Sequence, residues 1–145
     1  MNLNDLLKQD RITKFESDTD QIRNEIENAD AKLKSAKNIL SINEWRSAYG
    51  SAYEAMLHAG RALMFSKGYR TKGEGHHETV VLFVEVVFST KFSSQKEVLA
   101  SFNRARKLRN DFTYDNADMV SPTQAKTLVE NAEAFVNKTK EILKM

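Results

Sequence analysis

The chain has no cysteine, so disulfides, thiolate metal sites and a cysteine nucleophile are excluded. Breakers are scarce too. Pro122 is the single proline and glycine appears five times in 145 residues, which favours long helices. Charge of one sign is not in excess: 22 basic residues stand against 20 acidic ones, a net +2. That balance gives no general electrostatic footprint for nucleic acid, though it leaves room for a local basic patch. No run approaches the roughly 18 uninterrupted apolar residues of a membrane span. The opening MNLNDLLKQDR is too polar for a secretory signal. There is no G-x-S-x-G, no P-loop and no dinucleotide fingerprint, so no cofactor is expected. The expectation is one cytoplasmic domain, long enough to bury its own core without metal or disulfide support.

What is present is helical periodicity. Asp18 with Gln21 three residues on resembles a capping box. Behind it Ile22, Ile26, Ala29, Leu33, Ala36 and Leu40 alternate spacings of four and three, the mark of an amphipathic helix. Ser41 with Glu44 reads as the next cap. The helix after it carries Trp45, Ala48, Tyr49, Ala52, Met56, Ala59, Gly60 and Leu63 on one face and ends before Gly68. Its small residues invite the close approach of a neighbour. Residues 69–77 are glycine-rich and polar and read as a loop. Val80–Phe88 is rich in β-branched residues. A lone strand has nothing to pair with, however, so a short buried helix is expected. Ser94 with Glu97 reads as the cap of the fifth segment, and Ser121, Pro122 and Gln124 form a strong start for the last. Residues 2–14 add a short helix at most. Residues 1–17 are thus an N-terminal extension, and 18–145 an all-α, up-and-down bundle of four to five helices.

Arg109 is the residue that stands out. Val98, Phe102, Ala105, Arg109 and Phe112 share one helical face, four of them apolar. A guanidinium keeps its charge in a protein, so placing it there is costly unless it is paired or serves a site. Two readings stay open: a structural ion pair with a carboxylate on another helix, or a phosphate-binding fork flanked by Asn110, Asp111 and Tyr114. A second group is Tyr53, Glu54, His58 and Arg61. It is either a solvated charged face or the wall of a groove shared with another subunit, where a histidine would carry protons near neutral pH. A third is the adjacent pair His76 and His77. They lack an obvious third ligand, so no metal site is expected. They are either inert or presented by the loop to a substrate, with His76 the candidate contact.

Residues 52–69, AYEAMLHAGRALMFSKGY, resemble the second helix of HEPN-domain proteins. The glycine loop, His76-His77 and the apolar run to Phe88 follow in the family's order. Leu108-Arg109-Asn110-Asp111-Phe112-Thr113-Tyr114-Asp115 then falls where the family keeps its signature arginine. The resemblance covers about residues 20–143 and implies a helical bundle that dimerises, with the arginines of two subunits facing one cleft. It also implies metal-independent cleavage of RNA, as in many members, and a minimal nucleotidyltransferase as antitoxin partner, as in several. The family motif is R-x4–6-H. Arg109 matches the arginine and Asn110 the polar residue after it, but Tyr114 stands where the histidine would be.

The resemblance therefore implies a homodimer whose cleft binds RNA or a nucleotide. Arg109, Tyr114 and His58 are the catalytic candidates, and Asn110, Asp111, Tyr53, Arg61 and His76 the substrate contacts. Tyrosine is a poor base at neutral pH. The alternative is a non-catalytic interaction module in which Arg109 is a structural ion-pair residue.

Overall fold

The structure is a computed structural model that describes residues 1–112 and 120–145, with residues 110–112 described by backbone only. Within these, the order is α1 (Leu3–Lys8), β1 (Ile12–Lys14), α2 (Thr19–Ser41), α3 (Trp45–Ser66), β2 (Tyr69–Thr71), α4 (His76–Val87), a 3-10 turn (Ser89–Phe92), α5 (Lys96–Phe112) and α6 (Pro122–Leu143). The long helices α2, α3, α5 and α6 form the expected all-α bundle, with α4 packed beside α3 and α5.

The helix starts at Asp18 and Ser121 are as the sequence suggests. Asp18 accepts from the backbone N–H of Gln21 at 2.8 Å, and Gln21 returns the bond to the backbone of Asp18 at 2.9 Å. Ser121 and Gln124 repeat the arrangement, with Pro122 at the first turn. The expected cap at Ser41 and Glu44 is not there. α2 runs through Ser41, whose hydroxyl donates to the Asn38 carbonyl at 2.6 Å instead of facing forward. Asn43 turns the chain in the left-handed region, which asparagine tolerates, and α3 starts after Glu44 without a side-chain cap. α5 begins at Lys96, two residues beyond Ser94.

Residues 1–17 are built into the body. Leu6 and Ile12 are both buried in the core. β1 pairs antiparallel with β2 in the register Ile12↔Thr71, Thr13↔Arg70 and Lys14↔Tyr69. Part of the expected loop is therefore a strand. Each strand has three residues, too few for a period-two pattern to show in the sequence. The expected helix over Val80–Phe88 is there as far as Val87, and it buries Val80, Val81, Phe83 and Val84.

α3 is the central element and is buried nearly all round. Ala48, Ala52, Ala55, Ala59 and Ala62 are all fully buried. Packing is closest at Gly60: a Cβ there would lie 2.6 Å from Val80 Cγ1 on α4 and 3.5 Å from the Phe102 ring on α5. Phe102 and Phe92 both pack on Phe135 of α6, with ring centroids 5.2 Å apart in each case.

Gly60→Ala should destabilise the fold. The overlap falls on a β-branched side chain with little rotamer freedom in a helix, and overpacking of this kind costs about 1–3 kcal/mol. The better helix propensity of alanine returns up to about 1 kcal/mol. A urea midpoint equal to the wild type's would show that α4 can move away freely.

Candidate functional site

The first two groups singled out in the sequence meet in space. Glu54 and Arg61 are seven residues apart on α3 and share a face. Arg109, near the end of α5, reaches across and donates to Glu54 Oε1 at 2.8 Å. The other carboxylate oxygen, Oε2, holds Lys32 Nζ of α2 at 3.0 Å. Arg109 and Glu54 keep 33% and 30% of their side-chain surface exposed, so the pair sits at the mouth of the site and not inside the core. The guanidinium also lies 5.6 Å from the centre of the Tyr53 ring, within cation–π range. Arg61 has no carboxylate partner among the described residues.

Tyr53 joins this surface to α4. Its ring is fully buried against Phe102, and its hydroxyl is hydrogen-bonded to His77 Nδ1 at 3.1 Å. Burial pushes the phenol up to about 12, against the pull of Arg109, Arg106 and Arg61, so it stays protonated at any physiological pH. His77 is half-buried and its imidazole is held below the ordinary histidine value. Burial is the main cause, and the positive charges of Arg61 and Arg109 add to it. Around the rim, Glu78 accepts Arg11 at 3.1 Å and lies 3.7 Å from Arg106. The N-terminal segment is thereby tied to the start of α4. What results is a half-open polar surface with two guanidinium groups, one neutral histidine and one buried phenol that fixes it. Such a surface suits an anion with ionisable oxygens, a phosphate ester above all.

A sequence model of the HEPN domain matches residues 22–143. The chain belongs to the HEPN domain family. A curated relative, a UPF0332 protein of Archaeoglobus fulgidus, is 26% identical over 121 residues, which cover 83% of this chain and 94% of that protein. The match begins after α1 and β1, so these two elements are additions to the part that the family model describes.

In this HEPN chain the remaining candidates are placed as follows. His58 lies between Glu54 and Arg61 on that face of α3 and is bonded through Nδ1 to Glu25 of α2 at 2.7 Å. His76 is exposed and bonded to the Thr71 hydroxyl at 3.0 Å. His77, its neighbour, faces Tyr53 instead. A helical reading of 76–87 contains the signal for this. His77 lies three, four and seven residues before the buried Val80, Val81 and Val84, so it shares their face. The side chains of Asn110 and Asp111, and Tyr114 as a whole, lie outside the described residues. Among the described residues no cluster of histidine and carboxylate side chains could hold a metal, and no helix is long and apolar enough to cross a membrane. A cavity of about 500 Å³ lies on another flank of α5, between Tyr49, Arg104, Lys107, Leu128 and Asn131, and shares no lining residue with the Arg109 surface.

The lowered His77 pKa has a consequence for stability. The unfolded chain is the better proton acceptor, so the contribution of this residue is complete above the unperturbed value near 6.5 and is lost as pH falls toward the lower folded value. The drop in urea midpoint between about pH 7.5 and about pH 5.5 should accordingly be larger for the wild type than for His77→Gln. Equal drops would mean that His77 titrates normally in the fold.

Proposed function

We propose that this HEPN protein binds RNA, its phosphates held by Arg109 and Arg61, in a cleft completed by a second copy of the chain. The observation that carries the reading is the position of Arg109. Its guanidinium is one-third exposed, is engaged by a carboxylate on one side, and lies over the Tyr53 ring. A planar fork so placed can exchange Glu54 for phosphate oxygens at low cost, because both are bidentate acceptors. HEPN domains are often ribonucleases or nucleotide-binding domains, and they often dimerise. Cleavage without metal fits the donor set. Arginine can stabilise the charge that develops on the phosphorane, and nothing in the chemistry needs a bound ion. In the cell the protein would act as the toxin or substrate-binding half of a pair, with a minimal nucleotidyltransferase as its partner.

A second reading is favoured by one bond. The Arg109–Glu54 pair is what an interaction module with a purely structural arginine would contain. Its exposure argues against a large structural role, since ion pairs this open contribute about 1 kcal/mol or less.

The two readings separate on Arg109→Ala. Under the first, circular dichroism and the urea midpoint change little, while affinity for a single-stranded RNA falls at least tenfold. The slope of log K against log salt concentration also falls, by about 0.7 for one lost phosphate contact. Glu54→Gln, which releases Arg109 from its competitor, should tighten RNA binding several-fold. Unfolding of Arg109→Ala, with no RNA binding by the wild type, would leave the interaction module standing.

A further inference from the structure

We propose that His77 is the proton-transfer residue of this site, supplied by α4 in place of the histidine that the family motif would put at position 114. The inference rests on the RNA-binding reading above. It is carried by the geometry around Tyr53. The chain has three histidines. His58 is bonded through Nδ1 to Glu25 of α2, and His76 is exposed and bonded to Thr71. His77 alone is bonded to the same tyrosine ring that Arg109 covers.

The two nitrogens of His77 are in different situations. Nδ1 is bonded to the Tyr53 hydroxyl at 3.1 Å, whereas Nε2 has no partner among the described residues. The phenol can serve both states of the ring. It donates to Nδ1 when that nitrogen is bare, and accepts from Nδ1–H when Nε2 must act as a base. Tyr53 is fully buried among core side chains, so it is a rigid second member behind the reacting ring. It is a positioning residue and touches no substrate. The charged and titratable groups acting on His77 are Arg61 and Glu54 on α3, Arg109 on α5 and His76 on its own helix. Arg109, one of the proposed phosphate ligands, lies over the ring of the tyrosine whose hydroxyl holds the imidazole.

The step is a transesterification. Nε2 takes the proton of a ribose 2′-hydroxyl, and the 2′-oxygen bonds to the adjacent phosphorus. The bond from phosphorus to the 5′-oxygen breaks, and that oxygen takes a proton from water. The products are a 2′,3′-cyclic phosphate and a 5′-hydroxyl, and His77 returns its proton to solvent. Arg109 faces the charge that builds on the non-bridging oxygens.

The test uses the full chain and a fluorescent single-stranded RNA in EDTA, reading binding by anisotropy and cleavage by gel. His77→Asn keeps an amide where Nδ1 bonds Tyr53 but cannot take up a proton, and His77→Gln is the second variant should the first fold poorly. Both should bind RNA within about twofold of the wild type and cleave it at least about 100-fold more slowly, the range for a lost general base. Wild-type cleavage should decline as pH falls into the histidine range, and the residual activity of His77→Asn should not. A 2′-deoxy substitution at the cleaved residue should block the reaction. Wild-type cleavage by both His77 variants overturns the proposal, as does a loss explained by weaker binding. A wild type that binds RNA without cleaving it also overturns the proposal but leaves the binding reading intact. A wild type that does not bind RNA overturns both.

Discussion

The close approach of α3 to α4 and α5 at Gly60 is the constraint on which the site depends. There is no room for a Cβ between α3 and Val80, and Phe102 lies against the same point. Because α4 is held that close, its first turn comes within hydrogen-bonding distance of Tyr53, two turns earlier on α3. Because α5 is held that close, Phe102 packs on Tyr53 and Arg109 arrives over the same ring. Core packing and the site are therefore one arrangement. The alanines of α3 bring the helices together, and the polar side chains just outside that contact are brought together with them.

The charges on this surface are divided unevenly. Glu54 is shared by Lys32 and Arg109, and Glu78 by Arg11 and Arg106, while Arg61 has no carboxylate among the described residues. An even pairing would give a closed, neutral patch. This one retains positive potential next to a half-buried histidine, and a histidine so placed stays neutral at physiological pH. Cationic groups for an anion and a neutral imidazole for its proton are then available at the same pH. A near-balanced chain, with a net charge of +2, can thus hold a local anion site without a basic face.

Much of the fold is legible in the sequence because it rests on local rules. The capping boxes at Asp18 and Ser121 are reciprocal bonds within four residues, and spacings of four and three mark the buried faces of α2 and α6. The β1–β2 ribbon is not legible in this way. Its strands are 57 residues apart at Thr13 and Arg70 and three residues long, so neither carries a pattern of its own. The missed turn at Ser41 has a similar cause. A serine can bond backward to a carbonyl or forward to an amide, and only the path of the next helix decides which. Arg109 stood out because a charge interrupts an apolar stripe. His77 did not, because its neighbour His76 is chemically identical and only the start of α4 tells the two apart.

Tyr53 makes the same point at the level of chemistry. A tyrosine on α3 beside Glu54 reads as a candidate ligand contact, but it is fully buried and presents only its hydroxyl. Its reach into the site is therefore indirect, through the imidazole it holds and the guanidinium that lies over its ring. A buried phenol with a pKa raised to about 12 cannot itself take a proton at neutral pH, yet it can switch between donor and acceptor as its neighbour titrates. The buried residue thus fixes the geometry of the half-exposed imidazole that it holds. A tyrosine at position 114 has the poor basicity of any phenol near neutral pH, which an imidazole does not share. Of the three imidazoles in this chain, one is bonded to the tyrosine whose ring lies under Arg109.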